Sequence, residues 1–156
     1  MLNSDGRRIK RHILIKASSI RFLEAAELNN LKKIHLISDY IDSRTVEINE
    51  YNSNNKIDKS IPINGRNLTN LGIFRKYITE YLYNYPGLNK DMMMLCRQLQ
   101  STSHGVPLEV YAFSHDKRFE NYEYIMSDIF DHIIASVPYF DLEIFETITE
   151  NNLPVA

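Results

Sequence analysis

Two carboxylates and an imidazole in the C-terminal part of the sequence have the spacing of a metal-ligand set. Asp128, Asp131 and His132 stand at i, i+3 and i+4, so a helix would present all three on one face, and divalent metals accept all three as ligands. The same spacing is typical of the solvent-exposed face of an amphipathic helix, where His132 can pair with Asp128. Because no second ligand set accompanies them, we predict neither a metal nor a cofactor.

Other reactive side chains have simpler explanations. His115 and Asp116 follow a predicted strand and precede a predicted helix; His115 fits an acid or base in a cleft, but Asp116 fits a helix cap better. Cys96, the only cysteine, follows three methionines in an apolar run, which favours a core position over a nucleophilic thiolate. The sequence also lacks a P-loop, a dinucleotide-binding glycine motif, a nucleophile elbow and zinc-site spacings. We therefore predict that the protein is not an enzyme.

Positive and negative charges are concentrated in different parts of the sequence. Residues 1–21 contain six Lys or Arg and one Asp, a net charge of +5, whereas residues 120–150 contain eight acids and no Lys or Arg. This asymmetry favours pairing between chains, with basic meeting acidic, or a position beside a membrane. It disfavours nucleic acid as a partner, because the acidic part would repel phosphate and no RNP-like aromatic motif is present. The candidate residues for a subunit interface are Arg7, Arg8, Lys10 and Arg11.

Length and composition predict one globular domain. The 156 residues match the usual size of about 150 residues per domain, and 44% apolar with 24% charged residues excludes collagen, coiled coil and a disordered tail. The single cysteine favours a reducing compartment. No run approaches the roughly 18 apolar residues of a membrane span, and no secretory signal is recognisable, so we expect this chain itself to be soluble.

Apolar periodicity predicts the elements that position these residues. Period-two alternation predicts strands over 7–16, 91–100, 107–114 and 140–149. Helical spacing predicts helices over 24–41, 71–84 and 119–137. The turn at 101–105 joins two of the strands into a hairpin. The segment 43–55 fits either a helix or a strand, and the polar run 52–60 predicts a mobile loop.

The order of the elements predicts the fold. From about residue 66 the order is strand, helix, strand, strand, helix, strand, which is the split β-α-β-β-α-β order of ferredoxin-like folds. We therefore predict an α+β domain, a ferredoxin-like sandwich with two helices over one face of a mainly antiparallel sheet. An extra helix and the first strand precede this unit, and we expect that strand to belong to a neighbouring β domain.

Six strings carry a family resemblance. They are GRRIKR at 6–11, SSIRFL at 18–23, LTNLGIFRKYI at 68–78, RQL at 97–99, GVPLEVYAF at 105–113 and DIFDHI at 128–133. Together, and in this order over residues 6–148, they resemble the cytosolic C-terminal region of the small-conductance mechanosensitive channel family, in particular its miniconductance subgroup.

The resemblance implies a part of a heptameric ion channel in the bacterial inner membrane. Such channels open under membrane tension and release ions and small osmolytes during hypo-osmotic shock. Residues 1–20 would be the last strand of an upstream β domain, residues 21–150 the α/β domain of a vestibule on the cytoplasmic side, and residues 151–156 a tail. The implied roles are oligomerisation and filtering within a membrane-embedded parent protein, and no catalytic residue carries over. The alternative is a free-standing ferredoxin-like regulatory module that binds a small ligand.

Overall fold

The computed structural model describes residues 6–147, and in this range the sheet has three antiparallel strands. They are β1 (Arg7–Ile15), β2 (Leu95–Gln98) and β3 (Val106–Ser114), in the spatial order β1-β3-β2. β1 pairs with β3 along its whole length, from Arg7 opposite Ser114 to Ile15 opposite Val106. β2 pairs with the middle of β3, so the predicted hairpin is confirmed with a shorter first strand.

Most of the other regular structure in this range is helical. The α-helices are α1 (Ala25–Leu31), α2 (Ser38–Asn54), α3 (Asn70–Tyr83) and α4 (Phe119–Ser136), and 3₁₀ turns occur at Ala17–Ser19, His35–Ile37 and Val137–Phe140. Helices and strands are both substantial and the sheet is antiparallel, so the predicted α+β class is confirmed.

The two helices that pack on the sheet begin and end at local signals in the sequence. The Thr69 hydroxyl accepts a hydrogen bond from the Gly72 amide at 3.0 Å and caps the start of α3. α4 ends two residues before Pro138, because proline has no amide hydrogen with which to continue the helix. Both helices lie within one residue of their predicted ranges, so these two predictions are confirmed.

The core lies between the sheet and these helices. Alternate residues of β1 and β3 face inward, and α4 packs against β1 while α3 packs against β2. Fully buried side chains of this core include Ile9, Ile15, Phe74, Ile78, Leu82, Leu108, Ile129 and Ile133. The first strand, which the sequence assigns to a neighbouring β domain, shares this sheet and this core.

The predicted single helix over 24–41 is wrong. α1 ends at Leu31, the backbone is extended at Ile34, and α2 begins at Ser38 after a 3₁₀ turn. In one continuous helix, Leu31 and Ile37 would lie about 120° apart around the axis, so they could not both face the same core. The break allows both to be buried, with exposures of 7% and 0%.

The segment 43–55, which fits either a helix or a strand in the sequence, belongs to α2 as far as Asn54. The predicted loop therefore starts at Asn55. Asn52, buried near the end of α2, holds the returning chain, because its side chain donates to the Arg66 carbonyl and accepts from the Arg66 amide. These two hydrogen bonds attach the end of the loop to the helix that precedes it.

The predicted strand over 140–149 is wrong for the residues that the structure describes. Phe140 ends a 3₁₀ turn, Asp141 has a left-handed backbone with φ of 56°, and the segment that follows forms one bridge, between Ile144 and Ile15. Pro138 and the left-handed residue commit the start of this segment to a turn, and the described residues that follow pair with β1 only at Ile144. Residues 148 and 149, and the predicted tail at 151–156, lie outside the described residues.

The strand predicted near residue 66 is also reduced to one bridge, between Thr69 and Phe22. The ferredoxin-like order is therefore matched by α3, the β2–β3 hairpin and α4, whereas its two outer strands are single bridges within residues 6–147.

Candidate functional site

The basic residues of β1 fall on two sides of the sheet. Arg7 and Arg11 lie on the side of the sheet that faces α4, and their guanidinium groups lie over aromatic rings of that helix. Arg8 and Lys10 lie on the opposite, outer side. The Arg7 Cζ atom is 4.3 Å from the centre of the Tyr122 ring, and the Arg11 Cζ atom is 5.8 Å from that of Phe130. Cation–π contacts of this kind contribute about 0.5–1 kcal/mol at exposed sites. Two of the four predicted interface residues thus help to hold α4 on the sheet.

The outer side of the sheet, which we call the basic sheet face, combines cations with aromatic rings. Its members are Arg8, Lys10, His12, Arg97, Tyr111 and Phe113. The four basic side chains are exposed and the two rings, whose centres are 5.6 Å apart, are half-buried. The Glu109 carboxylate is nearly buried among them and accepts a hydrogen bond from Arg97 Nε at 2.9 Å. The positive charge that remains belongs to Arg8 and Lys10.

Part of the charge asymmetry of the sequence is neutralised within the chain. Arg21 binds both Glu27 and Asp141, and its Nη2 atom is 2.6 Å from Asp141 Oδ2. Lys16 Nζ lies 4.0 Å from Glu143 Oε1. Among residues 6–147, no acidic side chain pairs with Arg8 or Lys10. These two residues are therefore the part of the predicted interface set that is available to a partner.

α3 and the turn that follows it place three tyrosines against two of the predicted metal ligands on α4. Tyr77, Tyr81 and Tyr85 repeat every four residues, and they face His132 and Asp128, which are also four residues apart. The Tyr77 hydroxyl is 2.6 Å from His132 Nε2, and the Tyr81 ring lies parallel to the imidazole with ring centres 3.9 Å apart. The Tyr85 hydroxyl donates to Asp128 Oδ2 at 2.8 Å. Each of the two residues thus has its own tyrosine partner.

This arrangement does not favour a metal site. His132 Nε2 is occupied by a hydroxyl, Asp128 accepts from another, and Asp131 is exposed. Within the described range, no three His, Cys, Asp or Glu side chains lie close enough to hold a metal ion. The spacing of these residues is instead that of a helix face that contacts a second helix.

Burial sets the protonation of the Tyr77–His132 pair. It lowers the pKa of His132, with the Asp128 charge opposing the shift, and it raises the pKa of Tyr77. The imidazole is therefore neutral at neutral pH, and a single hydrogen joins the Tyr77 oxygen to His132 Nε2, supplied by the hydroxyl or by the ring according to the tautomer. In either tautomer the Tyr77 oxygen keeps at least one lone pair for a donor from outside the pair.

A cavity of about 310 Å³ opens beside this pair. It is lined by Ile34, Tyr77, His132, Ala135, Ser136, Tyr139 and Phe140. Most of this lining is apolar or aromatic, and its polar groups are the hydroxyls of Tyr77, Ser136 and Tyr139 and the His132 imidazole. Pockets for small molecules range from about 300 to 1,000 Å³, so this cavity is at the small end of the range.

The other reactive residues have structural roles. The predicted helix cap by Asp116 is wrong. Its carboxylate accepts hydrogen bonds from the Arg118 amide at 3.0 Å and from the Asn121 side chain at 2.6 Å. Neither bond involves a backbone amide of α4, which begins at Phe119. Contact with Arg118 holds the pKa of Asp116 well below its usual range, and His115 is exposed. Cys96 is buried in the core as predicted, and burial raises the pKa of its thiol to about 12.

The tyrosine partners are the site residues that sequence reasoning missed. Tyr77 and Tyr81 fit the apolar stripe of a helix, and nothing in one sequence says which helix they face. One feature of the sequence could have identified them: tyrosine occurs at every fourth position over 77–85, and Asp128 and His132 on another helix have the same spacing. Buried tyrosine hydroxyls require partners, and His132 and Asp128 match that spacing.

No protein-family model matches this sequence. In the part of the chain that the structure describes, no helix is both long enough and apolar enough to cross a membrane.

Proposed function

We propose that this chain is the cytosolic vestibule domain of a mechanosensitive ion channel of the small-conductance type. Copies of the domain would assemble below the pore, as a heptamer, and filter the ions and small osmolytes that pass during hypo-osmotic shock. The six ordered strings over residues 6–148 carry this proposal, because strings of this length in one order are far more specific than a single motif.

The distribution of charge supports assembly of copies. The basic sheet face lies on one side of the domain, and the exposed acids Glu120, Asp128 and Asp131 lie on α4, which packs on the other side of the sheet. A head-to-tail contact would therefore bring unlike charges together. Head-to-tail contacts related by a closing rotation generate rings, which is the arrangement a vestibule requires.

We also infer that the domain is a reduced ferredoxin-like sandwich. α3, the β2–β3 hairpin and α4 occupy the four central places of the β-α-β-β-α-β order. Two single bridges, between Thr69 and Phe22 and between Ile144 and Ile15, occur where this order would have its two outer strands. The pairing of β1 with β3, on the side opposite β2, supplies the third strand of the sheet.

The test uses the whole reading frame that contains this chain, expressed in a bacterium that lacks its own tension-gated channels. Survival of a hypo-osmotic downshock and a tension-gated current in excised patches are the expected results. A reading frame that encodes no membrane segments and gives neither survival nor current would overturn the proposal. The matched control is the same frame with residues 6–147 deleted in phase, which we expect to lower the amount of assembled channel.

The second candidate function, a free-standing module that binds a small ligand, is favoured by the cavity beside Tyr77 and His132. Absence of membrane segments from the reading frame, together with ligand binding by the purified chain, would support this alternative.

A further inference from the structure

We propose that the cavity beside Tyr77 and His132 binds a small, neutral, planar aromatic molecule with one N–H or O–H donor, of the size of an indole or a phenol. One chain forms the whole cavity, so this proposal does not depend on assembly or on the channel assignment.

The walls of the cavity favour a planar aromatic ring. The Tyr77 and Phe140 rings meet with centres 5.4 Å apart and are inclined by 47°, and Phe140 is almost fully buried, so its position is fixed by the core. Tyr139, which is 76% exposed, stands at the rim, where it can cover a bound molecule. Ile34 and Ala135 complete the apolar surface. Aromatic rings pack against such walls in offset or edge-to-face geometry.

The polar groups of the cavity select for a neutral donor. No Lys, Arg, Asp or Glu is among the described residues that line it, so a charged ligand would lose its hydration without gaining a partner. The Tyr77 oxygen shares one hydrogen bond with His132 Nε2 and keeps at least one lone pair in either tautomer, and the Ser136 hydroxyl donates to the His132 carbonyl at 2.7 Å. Both oxygens therefore present lone pairs. An N–H or O–H group on the ligand would donate a hydrogen bond to these oxygens. A ligand without a donor would bury them without a hydrogen-bond partner.

Indole and 1-methylindole are the probes that test this selection. They differ only at the ring nitrogen, where 1-methylindole carries a methyl group in place of the N–H donor. The protein has no tryptophan, so indole fluorescence can be followed without a background from the protein's own indole rings. We expect indole to bind the purified chain about three- to tenfold more tightly than 1-methylindole, the usual effect of one neutral hydrogen bond. Indole-3-acetate, which adds a negative charge, should bind more weakly than indole.

Two variants locate the binding. Ala135→Phe places a ring in the cavity from an exposed helix position, so it fills the cavity without replacing a core side chain. Ala26→Phe is the matched control, because Ala26 is also exposed on a helix but lies outside the cavity lining. We expect at least a tenfold loss of indole affinity in the first variant and no change in the second. Tyr77→Phe should bring indole down to the affinity of 1-methylindole.

Equal binding of indole and 1-methylindole, or indole binding that survives Ala135→Phe, would overturn the proposal, as would the absence of indole binding up to its solubility limit. Amide chemical shifts of the unaltered chain give an independent readout. Indole must perturb residues 132–140 of α4 and the following turn more than residues of the basic sheet face.

Discussion

Asn70 connects three segments of the chain that are distant in sequence. Its side chain is fully buried, accepts from the Arg21 amide at 2.9 Å, and donates to the carbonyls of Ser19 and Phe140 at 2.9 and 3.1 Å. It also stands at the first position of α3. One amide side chain thus aligns the start of a core helix with the turn that follows β1 and with the turn that ends α4.

Replacing this amide should be costly. In Asn70→Ala the bonds to the Ser19 and Phe140 carbonyls, which are buried, and the bond to the Arg21 amide, which is partly buried, are lost. Each unsatisfied buried group costs about 1–3 kcal/mol, so we expect unfolding to require about 2–4 kcal/mol less free energy. Denaturant titration of both proteins measures this difference. Asn84→Ala, which removes an exposed side chain bonded to the Glu80 carbonyl, should stay within about 0.5 kcal/mol of the parent chain.

His132 makes the stability of the fold depend on pH. Burial lowers its pKa in the folded chain, so between that value and the unfolded value of about 6.5 the unfolded chain binds more protons. The contribution is fully present above about pH 6.5 and is lost as the pH falls toward the folded pKa. We expect the free energy of unfolding to fall between about pH 7.5 and pH 5.5, and to fall less in His132→Gln. Parallel pH profiles of the two proteins would contradict this assignment.

At the scale of elements, the turn between β2 and β3 depends on one glycine. Gly105 has φ of 105°, and a Cβ atom there would lie 2.5 Å from the Ile15 carbonyl oxygen on β1. Gly105→Ala should therefore lower the melting temperature and cost about 1–3 kcal/mol, because backbone strain and a clash with the backbone are combined. Ser103→Ala in the same turn should change stability little, since Ser103 is exposed and has an ordinary backbone. Thermal unfolding of the two variants compares them directly.

The elements predicted correctly are those whose signal is local. α3 and α4 have an apolar stripe and a cap or a proline at their ends, and the hairpin has alternation on both sides of its turn. The predicted helix over 24–41 was wrong because the break between α1 and α2 allows Leu31 and Ile37 to be buried in the same core. That requirement comes from tertiary packing, which the local pattern does not contain. The last strand was wrong because alternation does not reveal that the chain turns at Asp141.

The candidate site was predictable only in part. The sequence pointed to His132, Asp128 and the basic residues of β1. It could not say that Arg7 and Arg11 would be held by α4, or that tyrosines of α3 and of the turn after it would bind His132 and Asp128. Both outcomes depend on how α4 packs against β1 and α3. A single sequence contains the spacing on each helix but not the pairing of the helices.

At the scale of the whole molecule, the basic sheet face is the surface whose alteration tests the proposed assembly into a channel. Arg8→Glu with Lys10→Glu reverses the exposed charge without touching the stacked Arg7 and Arg11. We expect about tenfold weaker subunit assembly or a shifted reversal potential, because like charges would then meet across a head-to-tail contact. Light scattering of the purified assembly and patch recordings measure the two effects.

The control for this reversal is Lys33→Glu with Lys90→Glu, which makes the same change of charge at exposed positions outside the basic sheet face. If both double variants assemble and conduct like the parent protein, the basic sheet face has no role in assembly or filtering.

The pairing of β1 with β3 has a consequence for how the chain reaches its structure. Arg7 and Ser114 are 107 residues apart, so most of the domain must be synthesised before β1 can pair with β3. The β2–β3 hairpin closes over a few residues and can form first. Contacts of long sequence separation slow folding, so we expect the burial of Tyr122 against β1 to lag behind hairpin formation in stopped-flow refolding. Until then the isoleucines of β1 are exposed, and the nascent chain is at its most vulnerable to aggregation.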